Sequence, residues 1–208
     1  MTSRQTSEPA QPRRQWPLFA GQRPALVVVD MQRDYLDPGA PIEVQNARKV
    51  IGVIGRLIEA FHRAGLPVVH VITIHRLDRT DWELHERDAG VSHCLEGTPG
   101  AEIVPELRPA QEDHLVIKKR YSSFHGTELE LLLRGLGVGA LVICGVTTEC
   151  CVRSTAMDAY ARDFRLVVPS DATESFSDQT RDVSLRDISA CVGPAPAASQ
   201  IIESIRTW

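Results

Sequence analysis

Residues 139–155 constrain the possible folds of this chain more than any other stretch. The stretch opens with an unbroken apolar run, Ala140-Leu141-Val142-Ile143-Cys144, which is typical of a strand buried on both faces of a parallel sheet. Gly145 and two threonines interrupt the run, and from Glu149 onward the apolar residues recur at helical spacing. The pattern therefore predicts a strand that ends in a tight turn and leads directly into a helix.

Two adjacent cysteines, Cys150 and Cys151, lie where that helix should begin. Open α/β folds place their ligands at the carboxyl ends of the strands, which is where this turn falls. A thiol at the start of a helix also lies at the positive end of the peptide dipoles, which favours the thiolate and produces a nucleophile. The alternative is that both cysteines are small buried hydrophobic residues. The local sequence leaves both interpretations open.

Length and composition narrow the class of protein. A chain of 208 residues with 43% hydrophobic residues can bury one good core, which predicts a single α/β domain. The net charge of -4 predicts neither a nucleic-acid partner nor an anionic membrane surface. The sequence has neither an apolar stretch of membrane-spanning length nor a signal-peptide pattern, so we expect a cytoplasmic protein. Its five cysteines, odd in number, are expected to be reduced thiols.

The N-terminal residues differ in composition from the rest of the chain. Residues 1–22 are polar, contain prolines and show no periodicity, which predicts a flexible tail followed by one ordered domain over residues 23–208. Three apolar side chains interrupt the tail, and they are expected to dock either on the core or on a neighbouring subunit: Trp16, Leu18 and Phe19.

Two further predicted strands end in ionisable residues. The run from Ala25 ends at Asp30, which is a candidate general base, or alternatively a helix cap or turn former. The run Leu115-Val116-Ile117 is followed by Lys118, although a Lys-Lys-Arg sequence is usually a solvated surface. Because a parallel sheet gathers the carboxyl ends of its strands at one edge, Asp30, Lys118 and Cys151 are expected to meet in one pocket.

The remaining periodicities predict the fold class. We expect helices over residues 44–64, 127–134, 179–189 and 199–205, and strands over residues 66–74, 164–168 and, as a short segment, 190–193. The alternation of strands and helices predicts a three-layer α/β/α fold with a central, mostly parallel, Rossmann-like sheet of about six strands.

The least regular part of the chain is the loop over residues 75–100, which contains His75, His85 and His93 among several acids. It has no H-E-x-x-H sequence and no compact carboxylate–histidine triplet, so the spacing predicts no metal site. A long loop in a compact domain often forms a lid or a wall of a binding site. We therefore expect this loop to contribute to substrate specificity.

Three segments of the chain resemble the isochorismatase-like cysteine hydrolases. They are VVVDMQRDYLDP, KKRYSSFHGTELELLLRGLGV and LVICGVTTECCVRSTAMDAYARDFRLVVPSDAT, and the resemblance covers about residues 24–173. The family includes nicotinamidases, N-carbamoylsarcosine amidohydrolases, ureidoacrylate amidohydrolases and biuret-type hydrolases. Each segment contains one of the three residues expected to meet at the sheet edge.

The resemblance implies a role for each of these residues. In the family pattern an aspartate closes the first strand, as Asp30 does here. The catalytic lysine precedes the R-Y-S-x-F element by one residue, which selects Lys118 over Lys119. The nucleophile follows the G-V-x-T-x-x turn, which selects Cys151 over Cys150.

The implied reaction cleaves a C–N bond. Asp30 takes the thiol proton of Cys151, while the ammonium of Lys118 stabilises the negative charge. The thiolate attacks the carbonyl carbon of an amide or ureide, and the backbone N–H groups of Thr147 and Cys151 hold the oxyanion. The family arrangement also implies a cis peptide bond between Val146 and Thr147, and no cofactor.

The chain departs from the nicotinamidase pattern. Nicotinamidases carry a D-x-H metal site after the second strand, where this chain has TIHRLDRTDW. This departure favours a metal-free relative that acts on carbamoyl compounds, as does Arg153. Arg153 is expected either to bind a substrate carboxylate or to pair with Asp158 or Glu149 on the helix surface. Four other residues are candidates for lining the pocket, with ordinary packing as the alternative for each: Tyr35, His75, Tyr121 and Phe124.

Two functions of other classes remain open. One is hydrolysis of a vinyl ether, as in isochorismatases proper, although these need no cysteine nucleophile and Cys151 therefore favours C–N cleavage. The other is a catalytically silent subunit of the same fold that binds a partner. The resemblance implies a small-molecule amide or ureide as substrate and a homodimer or homotetramer as the assembly.

Overall fold

The computed structural model describes residues 18–206 and 208. Most of the predicted tail, including Trp16, therefore lies outside the described residues. Phe19 is buried in the core and Leu18 packs against the same cluster. Of the two sites expected for these apolar side chains, the core is the one that the structure supports.

Six strands alternate with helices along the chain. The strands are β1 (Pro24–Val29), β2 (Val68–Thr73), β3 (His114–Lys118), β4 (Ala140–Val146), β5 (Arg165–Val167) and β6 (Thr173–Glu174). The α-helices are α1 (Arg33–Leu36), α2 (Arg48–Arg63), α3 (Leu84–Ala89), α4 (Leu129–Gly135), α5 (Arg153–Ala161), α6 (Asp178–Cys191) and α7 (Ala198–Ile205). A π-helical turn, Thr148–Val152, joins β4 to α5, and the 3-10 turns Pro99–Ala101 and Pro105–Leu107 precede β3.

The strands form one six-stranded parallel sheet. Its order is β3-β2-β1-β4-β5, and β6 pairs with β4 beyond the end of β5. Every residue of β1 and β4 is buried, as expected for central strands whose sequences are continuous apolar runs. The predicted fold class is confirmed.

Helices cover both faces of the sheet and create two cores. Alternate residues of β1 face opposite layers: Leu26 and Val28 pack in the core with α2 and α7, while Val27 and Val29 pack in the core with α4, α5 and α6. This alternation produces the three predicted layers.

The predicted element boundaries differ from the structure in the short segments. The strand predicted over residues 190–193 is wrong, because α6 continues to Cys191. Strand β6 was not predicted, since two residues are too few to show a periodicity. Strand β3 is an edge strand on which Leu115 and Ile117 are exposed, although its sequence is apolar.

Two further observations concern the cysteines and the lengths of the helices. All five cysteines lie within the described residues and are free thiols. Within residues 18–206, no helix is both long enough and apolar enough to cross a membrane.

The close approach of β4 to β1 predicts the effect of one substitution. A Cβ atom on Gly145, whose φ is +111°, would lie 2.0 Å from the carbonyl oxygen of Val29. Gly145→Ala should therefore lower the free energy of unfolding by about 3 kcal/mol, measured by urea denaturation, because the strands must separate. Gly135→Ala is the matched control, since that position in α4 has open space for a Cβ. Equal stability of both variants would contradict the close approach.

Candidate active site

Asp30 follows β1 at the carboxyl edge of the sheet. Its φ of +53° lies in the left-handed region, which aspartate tolerates better than most residues and which turns the chain at the strand end. The side chain is fully buried. One carboxylate oxygen, Oδ1, accepts a hydrogen bond of 2.9 Å from the hydroxyl of Thr73. Asp30 thus faces the interior of the site, and it does not cap a helix.

Lys118 ends β3 and reaches the same point from the other side of β2. Its Nζ lies 2.8 Å from Asp30 Oδ2, donates to Thr73 Oγ1 at 2.8 Å and lies 3.5 Å from Cys151 Sγ. The lysine is 2% exposed, so the solvated-surface interpretation does not hold for it. Lys119 instead forms an ion pair of 2.7 Å with Asp81. The structure therefore brings together the three residues that the strand ends predicted.

Cys151 lies in the π-helical turn between β4 and α5. The Val152 N–H donates to the carbonyl oxygen of Thr147 at 3.0 Å, which closes the turn around the cysteine. The peptide bond between Val146 and Thr147 is cis, as the resemblance implies. Cys151 is buried, whereas the neighbouring Cys150 is partly exposed.

Burial and two charged neighbours act on the Cys151 thiol. Burial raises the pKa of the Cys151 thiol well above its usual range; the Lys118 ammonium opposes this rise and the Asp30 carboxylate adds to it. Cys151 lies in the first helical turn after β4, because the π-helical turn continues directly into α5. The raised pKa favours the thiol over the thiolate at rest, beside a carboxylate that can take its proton.

The surroundings of Lys118 favour its charged form. Burial alone would lower the pKa of this lysine, but the negative charge of Asp30 and the sulfur of Cys151 outweigh burial and raise the pKa above its ordinary value. Lys118 is thus an ammonium at neutral pH. A fixed cation beside Sγ stabilises negative charge as it develops on the sulfur.

Two buried polar residues at this edge were not predicted. Thr73 ends β2 and contacts both Asp30 and Lys118. Gln32 accepts a hydrogen bond from the Thr73 N–H and donates to the Thr73 carbonyl oxygen. Asp30 was identified because it is a polar residue at the end of an apolar run. Thr73 occupies the same kind of position, so the same signal could have identified it. Gln32 carries no comparable signal.

Two of the pocket candidates lie near the triad, as we call the set of Asp30, Lys118 and Cys151. Tyr35 is buried, and burial raises its pKa well above its usual range, with further increases from the charges of Asp30 and Cys151. Partial burial and the nearby Cys150 and Cys151 raise the pKa of Tyr121 to about 12. The Tyr121 hydroxyl lies 3.2 Å from His85 Nε2. Both tyrosines therefore lie close enough to Cys151 to interact with it electrostatically.

Two other candidates have structural contacts instead. Phe124 is buried with its ring centroid 5.9 Å from that of Phe164, which favours the packing interpretation. Arg153 is partly exposed, and its Nη2 lies 3.4 Å from Asp187 of α6. The expected surface ion pair therefore forms, but with Asp187, not with Asp158 or Glu149.

His75 belongs to a cluster formed by the 75–100 loop. Donor atoms of His75, Glu86 and His93 all lie within 4.8 Å of one another. His93 Nε2 is 2.6 Å from Glu86 Oε1, and the two histidine rings are 5.1 Å apart. The sequence spacing shows no compact carboxylate–histidine triplet, but the fold brings these three side chains together because the loop folds back onto His75.

The cluster has the properties of a metal-binding site. Both ring nitrogens of His75 and the Nδ1 of His93 are buried without a hydrogen-bond partner among the described residues. Burial and the neighbouring His93 lower the pKa of His75 to about 4, so this imidazole is neutral at pH 7. Neutral imidazoles and a carboxylate are donors that Zn²⁺ accepts. The ring of His93 lies 5.7 Å from that of Tyr35, so the cluster adjoins the triad.

Comparisons with known proteins identify relatives in sequence and in fold. The chain is 34% identical to a protein of Arabidopsis thaliana named probable inactive nicotinamidase, over 79% of this chain and 87% of that one. The N-carbamoylsarcosine amidase of Thermoplasma acidophilum is 32% identical, with a TM-score of 0.73 over 85% of this chain and 96% of its own. The pyrazinamidase of Pyrococcus horikoshii in complex with zinc is 32% identical, with a TM-score of 0.77 over 84% and 99%.

The family model described as the isochorismatase domain matches residues 24–199, which include all three residues of the triad. The chain therefore belongs to the isochorismatase family of hydrolases.

Proposed function

We propose that the protein is a cysteine-dependent amidohydrolase that cleaves a C–N bond of a small amide or a carbamoyl or ureide compound. The observation that carries this proposal is the buried contact between Lys118 Nζ and both Asp30 Oδ2 (2.8 Å) and Cys151 Sγ (3.5 Å). Such a contact places a base and a cation at one sulfur, as nucleophilic catalysis requires.

The first step is attack by sulfur. Asp30 takes the thiol proton as Cys151 attacks the substrate carbonyl carbon, and the sulfur–carbon bond forms while the carbonyl π electrons move to oxygen. Because burial disfavours the thiolate at rest, the proton passes to Asp30 as the sulfur attacks. The N–H groups of Thr147 and Cys151 hold the oxyanion.

The second step releases the amine. The C–N bond breaks as the tetrahedral oxyanion collapses to a thioester, and the proton on Asp30 passes to the leaving nitrogen. Ammonia or an amine departs. Water then attacks the thioester, with the Asp30 carboxylate as base, and the acid product leaves as the Cys151 thiol is restored.

The substrate class rests on the size and surroundings of the site. The triad is almost fully buried, so it accommodates a small molecule and no polymer. The relative named N-carbamoylsarcosine amidase supports a carbamoyl substrate. The relative named as probably inactive supports the silent-subunit alternative, but the intact triad contacts favour catalysis. The homodimer or homotetramer stays a prediction.

The His75–Glu86–His93 cluster fits a divalent cation. The unpartnered histidine nitrogens would bind it directly, together with the Glu86 carboxylate. A cation held there would act as a Lewis acid toward a polar atom of the substrate. The zinc complex of the Pyrococcus horikoshii pyrazinamidase supports this assignment.

The central test is ammonia release from a panel of small amides and ureides. Cys151→Ser should lower kcat/KM for the substrates found by at least about 10³-fold, because the hydroxyl is a much weaker nucleophile. Cys150→Ser is the matched control and should stay within about threefold of the wild type. Turnover of isochorismate alone, unaffected by Cys151→Ser, would establish the vinyl-ether alternative instead.

The resting thiol predicts slow alkylation. At pH 7, iodoacetamide should modify Cys151 more slowly than the exposed Cys191, because only the thiolate reacts and burial raises the pKa of Cys151. The rate should increase as the pH is raised toward that elevated pKa. Peptide mass spectrometry measures both sites in one sample. Preferential modification of Cys151 at pH 7 would show that the resting sulfur is ionised.

The metal assignment predicts binding of Zn²⁺ by the apoprotein. Calorimetry should detect one site per chain, and His93→Ala should weaken it by about 100-fold or more through loss of a ligand. His85→Ala, which changes a histidine of the same loop outside the triplet, is the control. Equal affinities in the two variants would exclude the cluster.

A further inference from the structure

Thr73 forms hydrogen bonds with both Asp30 and Lys118, the proposed base and cation of the triad. It ends β2, and its register partner in β3 is Lys118. The β2 strand is also the neighbour of β1, and the Asp30 N–H donates to the Val71 carbonyl oxygen at 2.8 Å. The Thr73 side chain is 2% exposed. Its hydroxyl is therefore shielded from water and interacts with the protein alone.

The direction of the hydrogen bonds at Thr73 follows from the chemistry of its neighbours. An ammonium can only donate, so Thr73 Oγ1 accepts from Lys118 Nζ at 2.8 Å. The hydroxyl proton must then point to Asp30 Oδ1, at 2.9 Å. The chain of donors runs from Lys118 through Thr73 to Asp30 in one direction.

The two oxygens of Asp30 consequently differ. Oδ1 accepts the hydroxyl proton of Thr73. Oδ2 is buried and forms an ion pair of 2.8 Å with Lys118 Nζ, the same ammonium that lies 3.5 Å from Cys151 Sγ. Oδ2 thus shares its cation with the sulfur, whereas Oδ1 is hydrogen-bonded to Thr73.

Thr73 is itself held by one buried side chain. Gln32 Oε1 accepts the Thr73 N–H at 2.8 Å, and Gln32 Nε2 donates to the Thr73 carbonyl oxygen at 2.7 Å. The same Nε2 donates to the carbonyl oxygen of Ala101 at 2.8 Å. Both backbone groups of Thr73 are fixed, and its β-branched side chain has few rotamers.

We propose that Thr73 is a positioning residue, held by Gln32, that makes Asp30 Oδ2 the oxygen which exchanges the proton with Cys151 and the leaving nitrogen. Thr73 does not touch the reacting atoms. It acts through Asp30 and Lys118, by occupying Oδ1 and by fixing the ammonium beside the sulfur. This inference rests on the proposed amidohydrolase function.

The first test compares Thr73→Val with Thr73→Ser. Valine keeps the shape and removes the hydroxyl, whereas serine keeps the hydroxyl. On a substrate found by the ammonia-release panel, Thr73→Val should lower kcat about 10- to 100-fold with KM within about threefold, and Thr73→Ser should recover most of the loss. A residue that only fills space would give the opposite order, with valine the milder change. Equal losses in both variants, or a loss in KM alone, would overturn the proposal.

A second measurement needs no substrate. Thr73→Val removes a hydrogen bond that favours the Asp30 carboxylate, so Asp30 should take the Cys151 proton more often and iodoacetamide should modify Cys151 faster at pH 6. Thr73→Ser should match the wild type. The other ionisable groups near Asp30 are unchanged in the wild type and both variants, so they do not account for a difference in rate. They are Lys118, Tyr35 and Cys94.

The outcomes separate the two proposals. Buried Cys144 reports unfolding, and its modification should stay undetectable in each variant. If no amide or ureide is hydrolysed but Thr73→Val alone accelerates Cys151 alkylation, the proposed function fails and the positioning role stands. If the wild type is active and the three alkylation rates and kcat values are equal, the positioning role fails and the function stands.

Discussion

The buried ion pair of Asp30 and Lys118 is the interaction on which the site depends. Removing two charges from water costs several kcal/mol for each ion, and the attraction between them offsets this cost only when further hydrogen bonds complete the geometry. Thr73 supplies those bonds to both partners. Well-packed apolar residues would often be as stable at such a position. Stability alone therefore does not account for the pair. Both of its members act on the pKa of Cys151, and we infer that this is its role.

The surroundings of the Cys151 sulfur raise its pKa and so disfavour the thiolate at rest. Burial opposes ionisation of Cys151, and the nearby carboxylate opposes it further, while the ammonium of Lys118 favours it. A permanently ionised thiol would bind metals and react with oxidants. Here the proton of Cys151 has a nearby acceptor in Asp30, and a cation lies 3.5 Å from the sulfur. The proposed attack requires this arrangement, because the cation then stabilises charge that develops only as the bond forms.

The sequence predicts the parts of this arrangement that depend on strand ends. Asp30, Lys118 and Cys151 each follow an apolar run, and a parallel sheet must bring such positions to one edge. The burial that raises the pKa of Cys151 could not be predicted, because burial is a property of the assembled layers and local sequence does not report it. The cluster of His75, Glu86 and His93 was missed because its three residues are joined by the path of the 75–100 loop, which has no periodicity.

The 75–100 loop is connected at both ends to the residues around Asp30. It leaves the sheet just after Thr73, returns to pair with His75 through Cys94 and Glu96, and ends near Ala101, which accepts a hydrogen bond from Gln32. Both ends of the loop are thus tied to the residues that support Asp30. The segment between them also contacts the strand-end residues, since Asp81 forms an ion pair with Lys119 and His85 lies 3.2 Å from the Tyr121 hydroxyl. Side-chain changes in this segment can therefore alter the surroundings of the sulfur while both ends of the loop stay anchored.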